Sequence, residues 1–169
     1  MILIAQILRV IAALFSILSD KAINIKKIFL YNGINNLFCG ISYFCMNAIT
    51  GGISAFLALF RNILFYQYKE KVTIKEVLLY FVIIILFNIS SINGIVSCIP
   101  ALLVIIYTSA LYTKNTLYIK YACIITSLLE IIYDYVYCIY VGIFVCVLAI
   151  ILTSYSIYKL DNKNSNIVK

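Results

Sequence analysis

Seven stretches of mainly apolar residues, at 2–19, 30–47, 50–67, 76–92, 94–112, 117–135 and 137–158, are separated by short polar gaps. Each has the length of a bilayer-crossing helix. At 1.5 Å per residue an 18-residue helix is about 27 Å long, against a hydrocarbon core of about 30 Å. The second stretch is the most polar, because Tyr31, Asn32, Gly33, Asn35 and Asn36 crowd its first half. The first lacks a basic n-region, and no small-residue cleavage site precedes Asp20, so it is read as a helix and not as a signal peptide. The gaps leave no room for a soluble domain. The pattern therefore predicts an all-α membrane protein with one transmembrane domain over 1–160. A polar tail over 161–169 is expected to lack regular structure.

The lysines orient these helices. Lys21, Lys26 and Lys27 lie in the first gap, Lys69, Lys71 and Lys75 in the third, Lys114 and Lys120 in or just beyond the fifth, and Lys159, Lys163 and Lys169 at the end. The second, fourth and sixth gaps carry no basic residue. Basic flanks resist translocation, so this alternation predicts seven crossings with the N-terminus outside and the C-terminus in the cytoplasm. The second crossing is required for the alternation to hold.

Composition narrows the class further. The chain is 65% apolar, has a mean hydropathy of +1.10 and is only 11% charged, too little to coat a soluble domain of 169 residues. A net charge of +7 would suit nucleic acid, but the cations are scattered beside hydrophobic runs. Topology and anionic lipid headgroups explain them better.

Two short connections, Thr50-Gly51-Gly52 and Asn93-Gly94, are predicted to be tight reversals at the outer face. An offset of 90 residues aligns Tyr31 with Tyr121, Ile41 with Ile131, Tyr43 with Tyr133, Gly52 with Gly142 and Lys69 with Lys159. Compositional bias in an Ile- and Tyr-rich chain produces some of these identities. The mapping of one hairpin onto another favours a repeat. It gives a parallel 3+1+3 arrangement: a first bundle over about 2–67, a linking helix over about 76–92 and a second bundle over about 94–158.

Several segments carry a family likeness. They are Ala5-Gln6, Gly51-Gly52-Ile53-Ser54-Ala55-Phe56 running into Arg61-Asn62, Ile99-Pro100-Ala101, Thr108-Ser109-Ala110-Leu111-Tyr112 with Lys114, and Tyr133-Asp134 before Gly142. Together they resemble the YgjV-like bacterial inner-membrane proteins over most of the chain. That resemblance implies a distant similarity to PQ-loop and SWEET-type carriers, which are built as two parallel three-helix bundles holding a solute near the midplane. It brings no defined substrate and no established site residues. The paired prolines of SWEET-type bundles are missing, since Pro100 is the single proline, which weakens a sugar-carrier reading.

The intramembrane polar residues are the candidate machinery. An arginine at mid-helix costs roughly 2.5–3.5 kcal/mol on insertion scales, so it should face a cavity or a partner. Arg9 sits midway along its run and is read either as cavity-facing or as half of a structural ion pair. Arg61 lies about 9 Å from its cytoplasmic helix end at Gln67, so its side chain either extends to the headgroups or faces the interior. Glu130 and Asp134, four residues apart, share one helix face. Arg9 and Glu130 fall at similar depth and are predicted to pair across the bundle, the other reading being that both acids lie in water at the outer interface. Amides donate and accept at once, which suits neutral polar solutes as well as helix stitching. Gln6, Asn36 and Asn62 are the candidates for a pocket, whereas Asn47, Asn88 and Asn93 are expected to cap outer turns. Pro100 is expected to kink the fifth helix.

The remaining chemistry is sparse. Tyr66, Tyr68, Tyr112, Tyr118 and Tyr158 are predicted to form an inner interfacial belt, and Tyr133, Tyr135, Tyr137 and Tyr140 an outer one. Six cysteines occur without a CxxC spacing and histidine is absent, so neither a metal nor a disulfide is predicted. Nucleophile turns and phosphate-binding loops are also absent, and neither catalysis nor a cofactor is expected. The predicted function is secondary transport or facilitation of a small polar solute across the inner membrane, with Gln6, Arg9, Asn36, Arg61 and Asn62 at the site. The alternative is a membrane protein that assists assembly or binds a partner in the bilayer. Expected partners are lipid and the solute, and a homo-oligomer is compatible with either function.

Overall fold

The computed structural model describes residues 2–22, 24–68, 74–89, 94–113 and 115–167. Within them the chain is all-helical: α1 (Ile2–Lys21), α2 (Ile25–Cys45), α3 (Ile49–Tyr68), α4 (Ile74–Ile89), a 3₁₀ turn (Ile95–Cys98), α5 (Ile99–Tyr112), α6 (Thr116–Val136) and α7 (Tyr140–Ile167). Five segments are long and apolar enough to cross a membrane: Ile2–Ser19, Ile49–Gln67, Ile95–Tyr112, Thr116–Val136 and Tyr140–Lys159. Lys69, Lys71, Lys114 and Lys169 lie outside the described residues, as does Asn93 of the expected Asn93-Gly94 turn.

Capping moves several boundaries. Asn24 accepts from the Lys26 backbone N–H at 2.9 Å, so α2 begins at Ile25 and absorbs Lys26 and Lys27 into its first turn. Asn115 does the same for Leu117 at 3.0 Å, which starts α6 at Thr116 and places Lys120 inside the helix, buried, instead of in a loop. The tail also differs from expectation, since α7 continues as helix to Ile167.

The reversals are made by other residues than the glycines. Asn47 and Cys138 adopt the left-handed region at φ 59° and 56°, and each closes the end of its helix. The backbone N–H of Ala48 donates to Tyr43 O at 2.9 Å, and that of Ile139 to Asp134 O at 2.8 Å. Gly51 and Gly52 belong instead to the first turn of α3, where a Cβ on Gly51 would come within 2.8 Å of the Tyr133 hydroxyl and one on Gly52 within 2.8 Å of the Phe44 ring. Gly94, at φ 99°, does mark a turn. Pro100 falls in the first turn of α5, directly after the 3₁₀ segment, where its missing N–H leaves no helix bond unmade. It marks a junction between two helical segments and does not kink a continuous helix.

Six helices close a ring: α1 packs on α2, α2 on α3, α3 on α5, α5 on α6, α6 on α7, and α7 returns to α1. Three-residue connections join α2 to α3 and α6 to α7, so both hairpins are antiparallel with their turns at one end of the ring. The outward faces are apolar and exposed, as at Ile7, Val10, Leu14 and Leu18 of α1, a surface suited to lipid. Helix α4 stands outside the ring against α3 and α5. Its Tyr80 hydroxyl donates to Leu57 O at 2.6 Å, and buried Asn88 accepts from Ser54 Oγ at 2.9 Å. Asn88 thus stitches α4 to α3 and is not a turn cap. Tyr80→Phe is expected to lower stability by about 0.6–1.7 kcal/mol, the range for interhelical bonds in membrane proteins. Thermal unfolding in detergent against Leu86→Ala, on the exposed face of α4, would show it.

The two hairpins match at one spacing. Ile25 and Thr116 open, Cys45 and Val136 close, Asn47 and Cys138 turn, and Ile49 and Tyr140 resume, each pair 91 residues apart. This is one residue more than the offset of 90 that aligns the identities. A shift of one residue rotates a helix face by about 100°, so the structural equivalences differ from the identity-based ones throughout.

Candidate functional site

The ring surrounds a partly open cavity of about 160 Å³ with contributions from all six helices. Its lining follows the same spacing. From α1 and the start of α5 come Arg9 and Pro100, Ala12 and Leu103, Ala13 and Val104, and Ser16 and Tyr107. From α2 and α6 come Asn32 and Cys123, Asn35 and Thr126, Asn36 and Ser127, and Cys39 and Glu130. From α3 and α7 come Ser54 and Val145, Ala55 and Cys146, and Ala58 and Ala149. Every pair is 91 residues apart, and only Tyr43, Gly51 and Arg61 line the cavity without a counterpart that also lines it. Small residues on α1, α3 and α7 hold the helices close while leaving this space open.

At the end carrying the two hairpin turns, Arg9 joins the halves of the ring. Its Nη2 donates to Glu130 Oε1 at 2.5 Å and to Asp134 Oδ2 at 2.8 Å, both on α6. The same nitrogen reaches the Tyr43 hydroxyl at 3.0 Å, and Nη1 reaches Cys39 Sγ at 2.6 Å, both on α2. The Tyr43 hydroxyl lies 3.0 Å from Glu130 Oε1 and 3.1 Å from Asp134 Oδ1, to which it donates. Arg9 is 3% exposed and Asp134 0%, while the Glu130 side chain retains 27% and faces the cavity. In so dry a setting the guanidinium and two carboxylates hold one another. Arg9 Nε alone has no hydrogen-bond partner among the described residues.

A second polar layer reinforces this end. Tyr133 is fully buried, and its hydroxyl accepts from the Gly51 backbone N–H at 2.9 Å and meets Thr50 Oγ1 at 3.0 Å. Tyr133 therefore does not belong to the interfacial belt, whereas Tyr135 and Tyr140 are exposed as a belt requires. The lack of a side chain on Gly51 is what lets the phenol reach the backbone.

The opposite end holds Arg61, which is 2% exposed and does not extend to the surface. Its Nη1 donates to Thr108 Oγ1 at 3.0 Å, and Nη2 and Nε donate to Asn62 Oδ1 at 3.0 and 3.3 Å. The guanidinium lies 5.1 Å from the centre of the Tyr107 ring, whose hydroxyl accepts from Asn32 Nδ2 at 2.8 Å. Among the described residues no carboxylate pairs with Arg61.

Of the residues predicted for the solute site or the ion pair, Arg9, Asn36, Arg61 and Glu130 line the cavity. Asp134 stands behind Glu130, and Asn62 positions Arg61, so neither is part of the lining. Gln6 also lies off the cavity, and its Oε1 is buried without a hydrogen-bond partner among the described residues. Sequence reasoning missed Cys39 and Tyr43 as partners of Arg9, and Thr108 as a partner of Arg61. The spacing of 91 would have found the first two, because it sets Cys39 against Glu130 and Tyr43 against Asp134. Glu130, Asp134 and Cys146 bring ligand-type atoms within 4.8 Å of one another, but Arg9 is the cation already bound to this group's carboxylates. All six cysteines are free thiols.

The family model for Imp-YgjV, described as a bacterial inner membrane protein, matches residues 3–164. No curated protein and no solved structure matches the chain.

Proposed function

The chain belongs to the Imp-YgjV family of bacterial inner membrane proteins, and we propose that it is a secondary transporter or facilitator of a small polar solute. The observation that carries this reading is the cavity: about 160 Å³ of space inside a ring of six helices, bordered by amides, hydroxyls and two buried arginines. A protein that only assists assembly or binds a partner in the bilayer needs no such space, and its polar residues would merely bridge helices.

Two parallel halves, α1–α3 and α5–α7, move against each other, with α4 returning the chain so that both point the same way. The spacing of 91 in helix bounds, turns and cavity lining supports this arrangement. So does the packing, in which α1 on α7 mirrors α5 on α3. Contacts between the halves sit at both ends of the cavity. Arg9 to Glu130 and Asp134, with Tyr133 to Gly51, latch the end with the hairpin turns, and Arg61 to Thr108, with Asn32 to Tyr107, latch the other. Releasing one set while the other holds exposes the cavity to one side at a time. Seven crossings, with the N-terminus outside and the C-terminus in the cytoplasm, place the ionic latch toward the periplasm. The alternating lysines support that orientation.

Two measurements test the reading. Cys138 lies exposed in the α6–α7 turn, so an impermeant maleimide should label it from the periplasm of sealed cells in a variant that keeps only this cysteine. Labelling only after the membrane is opened would reverse the orientation. Proteoliposomes should take up at least one member of a panel of sugars, nucleosides, amides and small acids. Failure across the whole panel would favour the partner-binding alternative.

A further inference from the structure

We propose that the solute carries an anionic oxygen group, a carboxylate or a small inorganic oxyanion, and that Arg61 receives it. This rests on the transport reading and narrows its substrate class. Two guanidiniums border one cavity, yet among the described residues only Arg9 has carboxylate partners. Arg9 is held by two carboxylates, whereas Arg61 is held by the neutral oxygens of Asn62 and Thr108. A cation shut away from water and given only neutral acceptors retains a strong attraction for an anion that can reach it. Arg61 can be reached, because it borders the cavity while being 2% exposed overall.

Its surroundings favour recognition over mere tolerance of the charge. The guanidinium is fixed by three hydrogen bonds and lies over the Tyr107 ring, so little side-chain freedom remains to be lost on binding. Behind it, Asn62 stands off the cavity and holds the guanidinium through Oδ1, so the face that Arg61 turns to the cavity is set from the protein side. The position 91 residues beyond Arg61 is Leu152, so the second half supplies no matching cation. The cavity is therefore polarised along its length. Its Arg61 end has a positive charge that no carboxylate matches among the described residues, and its Arg9 end is already satisfied. A neutral sugar or amide would leave Arg61 as it is, and an anion would complete it.

The test compares matched probes on the purified, delipidated protein in a non-ionic detergent at constant ionic strength. Propionate, propionamide and inorganic phosphate are each titrated while thermal unfolding is followed. At least one of the two anions should raise the midpoint in a saturable way, and the amide should not. Arg61→Lys, which keeps the charge but loses the planar fork, should weaken the effect about tenfold, the equivalent of one charge-assisted hydrogen bond. Arg61→Gln should abolish it. If Arg61→Gln does not fold, Thr108→Val together with Arg61→Lys carries the comparison. Equal shifts from amide and acid, a shift that survives in Arg61→Gln, or no shift from either anion would each overturn the assignment. Uptake of the effective anion into proteoliposomes separates the two levels. An Arg61-dependent shift without uptake keeps the anion site and sinks transport. Uptake of neutral solutes without any anion effect does the reverse.

Discussion

Arg9→Leu is expected to cost about 3–5 kcal/mol of unfolding free energy, the loss typical when one partner of a buried ion pair is removed. The change strips the counter-charge from Asp134, which is wholly buried, and from the largely enclosed Glu130. It also leaves Tyr43 and Cys39 without their shared donor. The cost comes from the stranded acids more than from the lost attraction, and that distinction can be measured. Combining Arg9→Leu with Glu130→Gln and Asp134→Asn removes the stranded charge and should recover a large part of the stability. Unfolding in detergent, read as a mutant cycle, would show strong non-additivity. Purely additive losses would mean that Arg9 and the two acids act independently, against the geometry described above.

A second large effect is expected from the smallest substitution. Gly142→Ala places a methyl group against the Asp134 carboxylate and within 2.9 Å of Arg9 Nε. The carboxylate cannot retreat without giving up its bonds to Arg9 and Tyr43. Overpacking of a fixed group ordinarily costs about 1–3 kcal/mol, and disruption of the Arg9 ion pairs adds to that figure here. Gly33→Ala is the internal control. It also lies within a helix, but its nearest neighbours would be Leu59 Cδ1 at 3.7 Å and Asn62 Cβ at 3.8 Å, ordinary contacts. Relief of the glycine helix penalty should make Gly33→Ala neutral or stabilising by up to about 1 kcal/mol. Opposite signs for the two variants would confirm that the carboxylate, and not helix propensity, sets the demand at Gly142. A harmless Gly142→Ala would mean that Asp134 has room to move.

Much of this was legible in the chain. Apolar runs of bilayer length fixed the helices, because nothing but lipid or a neighbouring helix can cover such faces. Depth along the runs was enough to set Arg9 opposite Glu130, since two antiparallel helices of known ends leave few heights at which charges can meet. Other features depend on rotation about the helix axis, which apolar surroundings do not encode. Tyr133 reads like its neighbours Tyr135 and Tyr137, and only packing shows that it turns inward to Thr50 and Gly51. Arg61 is long enough to reach the headgroups from its depth, so its inward course was decided by Asn62 and Thr108. The offset of 90 stood out in the sequence because abundant Ile and Tyr generate identities. The offset of 91 is carried by caps and turns, where Asn24 and Asn115 agree but Asn47 and Cys138 share a conformation without sharing a side chain.

The separation of Arg9 from Glu130 by 121 positions has a consequence during biosynthesis. At about 5–20 residues per second, the ribosome supplies the first of Arg9's two partner acids some 6–24 seconds after the arginine. Throughout that interval the nascent chain carries an intramembrane cation with only Cys39 and Tyr43, from the second helix, to attend it. The early helices are thus delivered to the bilayer in an electrically incomplete state. Arrival of α6 relieves it, and docking of the late segment becomes a step that the early segment drives.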